Sequence, residues 1–243
     1  MNLVAIIQAR MGSTRLPGKV LMDIGGASML ARVVNRTRRA QLVNQVIVAT
    51  TTSPIDNLIA QECYKLGVGV FRGNEDDVLD RYYQAALKFN ADAIVRITSD
   101  CPLIDSHLID VVVNQIFLNQ WDYASNVQTR WFPRGLDTEV VTFAALEHAW
   151  REATEPYQRA HVTPYIYQHP ELFRLGAVCA DKDYSAQRWT VDTIQDLELV
   201  RAIYERFENQ GTFGWREALA VVEREPRLME LNRAIQQKAL HEG

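Results

Sequence analysis

Residues 6–19 read Ile6-Ile-Gln-Ala-Arg-Met-Gly-Ser-Thr-Arg-Leu-Pro-Gly-Lys19, in which an apolar strand runs directly into a glycine-containing loop. The strand is predicted from Leu3 to Ile7, and the loop after it carries three cations, Arg10, Arg15 and Lys19. Backbone N–H groups of such a loop and nearby cations together suit a polyanion. A strand that leads into the loop places it at the carboxyl edge of a sheet, where α/β proteins bind ligands. The stretch therefore predicts a phosphate-binding loop that opens an enzyme, the alternative being a surface loop with solvated cations.

Two familiar phosphate-binding loops do not match this stretch. A P-loop has four residues between its glycines and a hydroxyl residue after its lysine. Here five residues separate Gly12 from Gly18, and Val20 follows Lys19. The dinucleotide fingerprint G-x-G-x-x-G is also missing, because Thr14 stands where its second glycine would be.

The bulk properties exclude several classes of protein. The chain has 243 residues, enough for one large α/β domain or two small ones, and 47% of them are apolar. A net charge of −4 and a pI near 5.8 argue against a nucleic-acid partner. Cys63, Cys101 and Cys179 are odd in number and widely spaced, which fits reduced thiols and a cytoplasmic location. No apolar run approaches the roughly 20 residues of a membrane span, so no membrane partner is expected.

Strand and helix patterns alternate through the first half of the chain. Strands are predicted at 3–7, 45–50, 68–72 and 93–98, and helices at 29–39, 53–65, 78–89 and from Asp105 or Ser106 to Asn119. Ser28 is expected to cap the first helix, and Ser53-Pro-Ile-Asp56 resembles a capping box for the second. This alternation implies right-handed βαβ units and a mostly parallel sheet.

The second half is less regular. Strands are predicted at 123–125, 136–142, 173–179 and 188–191, and helices at 143–152, 193–208, 215–225 and 227–240, while 161–167 is ambiguous between strand and helix. We expect one domain over 1–243, with an acceptor-binding or dimerisation insertion at about 123–180 and a helical C-terminus at about 193–243.

A second site is predicted at Arg96-Ile-Thr-Ser-Asp100, where Arg96, Thr98 and Asp100 share one side of a strand. A central strand of a parallel sheet should be apolar, so Arg96 either bonds a buried carboxylate or lines a polar pocket. Asp100 follows the strand at the same sheet edge as the first loop. A carboxylate there, near a polyphosphate, suits magnesium, although a turn or capping aspartate is the alternative.

A third site lies in Arg188-Trp-Thr-Val-Asp-Thr-Ile-Gln-Asp196. Asp192 ends a predicted strand, and Thr193 with Asp196 can form a capping box, so Asp192 is either a functional carboxylate or part of the cap. Two separated strand-end aspartates that face one cationic loop are the minimal arrangement for metal-assisted nucleotidyl transfer. In such a site the metal bridges phosphate oxygens while cations neutralise the leaving pyrophosphate.

Two further segments carry weaker signals. Asn74 and Arg81 lie in a polar segment that could contact a base or sugar, although its acidic run also suits a helix N-terminus. On the other side of the predicted site the candidates are Arg134 for an acceptor carboxylate, Asp137 and Glu139 for hydroxyls, and His161 for orienting a hydroxyl. A lone histidine is, however, more often a structural hydrogen-bonding group.

The three motifs together resemble the cytidylyltransferase family that activates sugar acids, which includes acylneuraminate, KDO and spore-coat polysaccharide F-type members. The run Ser13–Lys19 is similar to the KDO enzymes, whereas Gln8, where those usually have proline, is similar to the spore-coat group. The sialic acid enzymes usually have Gly-Ser-Lys-Gly where this chain has Gly12-Ser-Thr-Arg15, and the KDO enzymes usually have an acidic residue in place of Cys101. The acceptor of neither branch can therefore be transferred directly.

The resemblance implies a three-layer, nucleotide-diphospho-sugar-transferase-like (Rossmann-like) α/β fold, with a mixed, mostly parallel sheet and helices on both faces. It implies a nucleotide site that comprises Ala9, Arg10, Met11, Gly12, Ser13, Arg15, Lys19, Asn74, Arg81 and Asp100. Within that site Arg15, Lys19 and Asp100 would be catalytic, and Asp100 and Asp192 would hold Mg²⁺.

The activity implied is a Mg²⁺-dependent transfer of CMP from CTP to a nonulosonate-like sugar acid, with release of pyrophosphate, in surface polysaccharide biosynthesis. A homodimer is also expected. One alternative keeps the reaction but uses a sugar or polyol phosphate as acceptor, with another NTP in place of CTP. Another is a GT-A-like glycosyltransferase that uses a sugar nucleotide, which is disfavoured because Cys101 and Pro102, rather than a second aspartate, follow Asp100. A non-catalytic nucleotide-binding homologue is the third.

Overall fold

Strands and helices alternate along the chain as the predicted βαβ pattern requires. The computed structural model describes residues 1–237. Its strands are β1 (Leu3–Gln8), β2 (Asp23–Ile24), β3 (Ala27–Ser28), β4 (Gln45–Thr51), β5 (Gly69–Gly73), β6 (Ala93–Thr98), β7 (Tyr123–Ser125), β8 (Glu139–Thr142) and β9 (Leu175–Ala177). Its α-helices are α1 (Met29–Thr37), α2 (Asn57–Lys65), α3 (Val78–Lys88), α4 (Ser106–Asn119), α5 (Phe143–Glu152), α6 (Pro156–His161), α7 (Pro164–Gln168), α8 (Ile194–Glu205), α9 (Trp215–Arg224) and α10 (Arg227–Glu230).

The main sheet has seven strands in the order β5-β4-β1-β6-β8-β7-β9. β5, β4, β1 and β6 are parallel, whereas β8 runs antiparallel to both of its neighbours and β9 is parallel to β7. The segment 123–180 thus supplies three strands of this sheet as well as helices α5, α6 and α7. The predicted mixed, mostly parallel sheet is confirmed.

Two apolar layers cover the sheet because β1 is apolar on both faces. Leu3, Ala5 and Ile7 face one layer, and Val4 and Ile6 face the other, as the two-residue period of a strand requires. Helices α1, α4, α8 and α9 contribute to the first layer, and α3, α5 and α7 contribute to the second. The predicted three-layer architecture, with helices on both faces, is therefore confirmed. Within residues 1–237, no helix combines the length and the apolar character needed to cross a bilayer.

The parallel pairing brings the first loop and the segment after β6 to the same edge. Gln8 is in register with Thr98 of β6, and the Ser99 amide donates to the Gln8 carbonyl at 3.0 Å. On the other side, the Ala9 amide donates to the Ala49 carbonyl at 3.1 Å. The chain after β1 and the chain after β6 therefore leave the sheet side by side.

The predicted capping box at Ser53–Asp56 and the predicted strand at 188–191 are wrong. Residues Pro54–Asp56 form a 3₁₀ turn without a capping box, and the Asp56 carboxylate turns inward to accept hydrogen bonds from Thr51 and from the Met11 amide. Residues 188–191 form only an isolated bridge between Arg188 and Arg134. A continuous strand does not form there because the Trp189 amide donates to Arg134 while the Val191 amide donates to Asp100, in a different loop.

The C-terminal segment is helical in α8, α9 and α10, but the predicted helix over 227–240 ends at Glu230. Residues 231–234 form turns instead, and the buried Asn232 side chain there donates to the Arg188 carbonyl and to Asp196. The last part of that prediction, residues 238–240, lies outside the described residues, as do 241–243. The ambiguous stretch 161–167 is mainly helical, since His161 ends α6 and α7 begins at Pro164.

Candidate active site

The first loop is held by its own turn and by a buried carboxylate. The Met11 carbonyl accepts from the amides of Ser13 and Gly18, at 2.9 and 3.0 Å, while the Met11 amide donates to Asp56 at 2.8 Å. Gly18 has a φ of +70°, a conformation that glycine adopts without a steric penalty. The residue that sequence reasoning missed is Asp56, because its position three residues after Ser53 matched a capping box.

Lys19 joins the two predicted metal ligands. Its ammonium donates to Asp100 Oδ2 at 3.0 Å, to Asp192 Oδ1 at 2.8 Å and to the Val191 carbonyl at 2.7 Å. Burial lowers the pKa of Lys19, but the carboxylates of Asp100 and Asp192 outweigh burial and raise it overall. All three donors of the ammonium are therefore used by groups of the protein, and Lys19, Asp100 and Asp192 meet at one point.

Asp192 receives two more cations on its other oxygen. Its Oδ2 lies 2.8 Å from Arg15 Nη2 and 2.8 Å from Arg188 Nη2. The helix cap is made by Thr193 with Asp196, as predicted, and Asp192 is not the capping residue of α8. The functional interpretation of Asp192 is therefore favoured over the capping one.

Asp100 is less completely paired than Asp192. Its Oδ2 accepts from Lys19, its Oδ1 lies 3.6 Å from the Cys101 thiol, and the Thr98 side chain also donates to the carboxylate. Burial raises the pKa of Asp100, but Lys19 opposes burial strongly enough to leave this pKa below its usual value. The Asp100 carboxylate is therefore ionised, and among residues 1–237 it is paired with one cation, Lys19, whereas Asp192 has three.

The donor set fits a divalent cation that also binds phosphate. Within residues 1–237 there is no group of three or more histidine, cysteine or acidic side chains arranged to hold a metal. Two carboxylates nevertheless converge on one positive charge, the Lys19 ammonium, so a cation is already accommodated between them. Mg²⁺ typically uses one or two carboxylates together with water and substrate phosphates. The residues present fit that pattern and supply too few ligands for a metal bound by protein alone.

Asn74 and Arg81 lie beside the first loop. Arg81 is buried and donates to the Asn74 carbonyl at 2.8 Å, and Arg10 approaches Glu75 at 4.0 Å. A Cβ on Gly12 would lie 3.6 Å from Glu75, which shows how closely the two segments approach. Burial, together with the nearby Arg10, lowers the pKa of Arg81. Of the predicted nucleotide-binding residues, Asn74 and Arg81 therefore lie close to Arg10 and Gly12.

A polar cavity of about 250 Å³ lies beside the carboxyl end of β6. Thr98, the last residue of β6, lines it and stands two residues before Asp100. The predicted acceptor residues Asp137, Glu139 and His161 line it as well. Arg96 satisfies both interpretations made from its sequence, because it lines the cavity and forms an ion pair with the buried Glu139. Burial alone would lower the pKa of Arg96, but Glu139 raises it well above the usual value.

Glu139 is the centre of a hydrogen-bond network in this cavity. Besides Arg96, it accepts from the Tyr123 hydroxyl at 2.7 Å and from the Thr163 hydroxyl at 2.6 Å. Thr163 reaches it through a γ-turn at Val162, whose φ of +75° is unfavourable for a β-branched residue. Such strain persists only where surrounding contacts impose it, and it is frequent at functional sites.

A second ion pair in the cavity was not predicted. Arg130 donates two parallel hydrogen bonds to Asp137, at 2.8 and 2.9 Å. The pKa of Arg130 is raised by Asp137 despite its burial. Asp137 is therefore oriented by Arg130, seven residues earlier in an irregular segment with no periodic pattern.

Arg134 differs from every other lysine and arginine in residues 1–237, because its side chain has no hydrogen bond, ion pair or aromatic ring contact. Its backbone, in contrast, is fixed by hydrogen bonds with Gln187 and Trp189. Burial and the neighbouring guanidinium of Arg130 lower the pKa of Arg134, with Arg188 adding to the effect. Its charged neighbours also include Asp137, which lines the cavity, and Asp192.

Comparisons with known proteins identify the family to which the chain belongs. A family model described as Cytidylyltransferase matches residues 4–238. The spore coat polysaccharide biosynthesis protein SpsF of Bacillus subtilis is 34% identical over 232 residues, which cover 93% of this chain and 95% of that protein. A 3-deoxy-manno-octulosonate cytidylyltransferase of Geobacter sulfurreducens is 42% identical over 115 residues, which cover 46% of this chain and 44% of that enzyme. A solved structure of a cytidylyltransferase from Leptospira borgpetersenii superposes with a TM-score of 0.92 at 36% identity, covering 98% of this chain and 100% of that one.

The chain belongs to the cytidylyltransferase family and is a nucleotidyltransferase. The predicted resemblance is thereby confirmed, and nucleotidyl transfer is favoured over the glycosyltransferase alternative.

Proposed function

We propose that this enzyme transfers CMP from CTP to a hydroxyl of a sugar acid, with Mg²⁺ and with release of pyrophosphate, in the synthesis of a surface polysaccharide. The observation that carries the proposal is the junction at Asp100. On one side, Arg15 and Lys19 converge with the two aspartates at the sheet edge. On the other side lies a polar cavity, and Arg134, which has no side-chain partner among residues 1–237, has both the cavity residue Asp137 and Asp192 as charged neighbours.

The first loop would hold the triphosphate. Arg15 and Lys19 would exchange their carboxylate partners for phosphate oxygens, with Arg10 and the backbone of Met11, Gly12 and Ser13 as additional donors. Asp100 and Asp192, relieved of the loop cations, would hold Mg²⁺. The metal, when bound, would neutralise charge on the phosphate oxygens. Asn74, Arg81 and Ala9, at the near end of the loop, would contact the nucleoside.

The cavity would bind the acceptor. An acceptor hydroxyl that emerges beside Thr98 would face the α-phosphorus, and its oxygen would form the new O–P bond as the bond to pyrophosphate breaks. The hydroxyl proton would be released to solvent. Arg15 and Lys19 would stabilise the charge that develops on the leaving pyrophosphate. Arg134, at the junction, would bind the acceptor carboxylate, and Asp137, Glu139 and His161 would line the polar part of the sugar site.

A pyrophosphate-release screen tests this function. All four NTPs would be combined with a panel of sugar acids and sugar or polyol phosphates, with and without Mg²⁺. We expect release with CTP and a sugar acid, and only when Mg²⁺ is present. Release only with a phosphorylated acceptor would replace the sugar-acid assignment with the phosphate one, and no release with any pair would contradict nucleotidyl transfer to a sugar.

The expected homodimer and cytoplasmic location accompany this proposal as predictions. Light scattering at high concentration tests the homodimer, since a monomer would have a mass of about 27.7 kDa.

A further inference from the structure

The three cations on Asp192 are anchored in different ways. Arg15 and Lys19 belong to the first loop, and Arg15 forms an ion pair only with Asp192 among residues 1–237. Arg188, in contrast, belongs to the segment that carries Asp192 itself, four residues earlier. Its side chain is 11% exposed, compared with 27% for Arg15.

Besides Asp192, the Arg188 guanidinium donates to two groups that lie outside the first loop, Asp196 and Gln237. Its Nε donates to Asp196 Oδ1 at 3.0 Å and its Nη1 donates to Gln237 Oε1 at 2.6 Å, while Nη2 reaches Asp192 Oδ2 at 2.8 Å. Asn232 closes the arrangement, because its Nδ2 donates both to Asp196 Oδ1 at 2.8 Å and to the Arg188 carbonyl at 2.9 Å. Each nitrogen of the guanidinium therefore has a fixed protein acceptor.

Asp196 ties the backbone of Asp192 to the same cluster. Its Oδ2 accepts from the amides of Asp192 and Thr193, both at 3.0 Å. The capping box of α8 thus has a second consequence besides starting the helix. It fixes the main chain of Asp192, while Arg188 fixes the carboxylate.

We propose that Arg188 is a positioning residue that retains Asp192 Oδ2 while Arg15 and Lys19 leave for the triphosphate. Asp192 then keeps one immobilised oxygen and presents Oδ1, released by Lys19, to the metal. This inference rests on the proposed function of the site. It assigns to the C-terminal segment, through Asn232 and Gln237, a part in orienting Asp192, a metal ligand 40 and 45 residues earlier in the chain.

Arginine suits this role better than lysine. A planar guanidinium can serve Asp192, Asp196 and Gln237 at once along three directions, whereas an ammonium on a flexible stem acts as a point charge. An Arg188→Lys variant keeps the positive charge but loses the planar arrangement of donors. Asp196 retains its bonds from Asn232 and from two amides in that variant, so the fold is expected to persist.

The test measures Mn²⁺ binding in the presence of CTP and without acceptor, for wild type, Arg188→Lys and Asn232→Ala. We expect the dissociation constant of Mn²⁺ to rise about 10- to 100-fold in Arg188→Lys, as is typical when a group that orients a metal ligand is lost. Asn232→Ala should shift it in the same direction by less. In pyrophosphate release, kcat should fall and recover partly at high metal concentration, whereas KM for the acceptor should stay near the wild-type value.

Arg206→Lys is the matched control, because Arg206 forms an exposed ion pair with Glu225 away from the site. It should leave Mn²⁺ binding and turnover unchanged. The proposal is overturned if Arg188→Lys lowers the melting temperature yet binds Mn²⁺ as tightly as wild type, or if acceptor KM is the parameter that changes. Wild-type pyrophosphate release, measured in parallel, separates the two levels: its absence would count against the proposed function, and its presence with unaltered Mn²⁺ binding in Arg188→Lys would count only against the role of Arg188.

Discussion

The first-loop region around Asp100 and Asp192 and the polar cavity beside β6 differ in how their charged side chains are paired. At the nucleotide edge, Lys19, Arg15 and Arg188 crowd onto two carboxylates, and every ionic group there has a protein partner. In the polar cavity proposed for the acceptor, Arg96 and Arg130 are paired with carboxylates, and Arg134, whose neighbours include the cavity residue Asp137, has no side-chain partner among the described residues. On the proposed function, the nucleotide edge would exchange partners when a triphosphate binds, whereas Arg134 would bind an anion without breaking an existing pair.

This difference separates the roles of similar residues. A cation whose partners must be exchanged contributes both to the stability of the free protein and to catalysis. An unpaired cation contributes to binding alone, because its removal leaves no carboxylate unpaired. Variants on the two sides should consequently differ in whether stability and activity change together.

Replacement of Lys19 by methionine should have the largest effect on stability. The buried Asp192 and the partly buried Asp100 would lose their common counter-ion, and loss of one member of a buried pair costs about 3–5 kcal/mol of unfolding free energy. Because the pKa of Lys19 is raised in the folded protein, its stabilisation is fully present below the ordinary lysine value of about 10.4 and is lost as pH rises through the folded value. Chemical denaturation at neutral and at high pH measures both effects.

Mg²⁺ alone should stabilise the Lys19→Met protein more than the wild type, since the metal would take the position between the carboxylates. Lys65→Met is the control, because Lys65 is 73% exposed and its ion pair with Glu62 contributes little. Equal stability of wild type and Lys19→Met would show that the carboxylate pair does not need a cation.

Replacement of Asp100 by asparagine should mainly affect turnover. The amide keeps the shape and an acceptor for Lys19 but loses the charge, so we expect kcat to fall by roughly 10²- to 10³-fold, the range found when one charge-stabilising group is removed. Pyrophosphate release and circular dichroism would be measured together, with the exposed Asp183→Asn variant as control. An Asp100→Asn enzyme that turned over CTP normally would refute the metal assignment.

Replacement of Arg134 by glutamine tests whether this arginine binds the acceptor. We expect KM for the acceptor to rise by about 10- to 100-fold, corresponding to a charged hydrogen bond of roughly 1.5–3 kcal/mol. KM for CTP and the melting temperature should stay unchanged, because Arg134 has no side-chain partner within residues 1–237 to lose. Arg130→Gln is the informative contrast, since it breaks the pair with Asp137 and should lower stability as well. If Arg134→Gln raised KM for CTP instead, Arg134 would belong to the nucleotide edge.

The same two sides differ in how far their structure could be predicted from the sequence. The convergence of Lys19 and Asp100 was predictable, because alternating βαβ units bring the carboxyl ends of parallel strands to one edge. The inward turn of Asp56 was not, since a capping box and a 3₁₀ turn have the same residue pattern there. The Arg130–Asp137 pair lies in an irregular segment where no period relates side chains to faces.

Val162 is the clearest example of a conformation that the sequence does not predict. Its positive φ is disfavoured for a β-branched residue, so no propensity predicts the turn that brings Thr163 to Glu139. The predicted strand at Arg188–Val191 failed for a related reason, because its amides are divided between two loops. Contacts distant in sequence determine both segments, and a single sequence carries no local signal for them.

The smallest expected effect tests whether the cavity is preformed. Thr163→Val removes one of the three donors to Glu139 and should lower the unfolding free energy by about 1 kcal/mol, the usual net contribution of one hydrogen bond. Thr163→Ser, which keeps the hydroxyl, should lose less. Because Arg96 and Tyr123 still hold Glu139, acceptor KM should change less in Thr163→Val than in Arg134→Gln. If acceptor KM instead rose by the larger amount while urea unfolding stayed at the wild-type value, Thr163 would contact the acceptor directly, and the cavity would exchange partners as the nucleotide edge does.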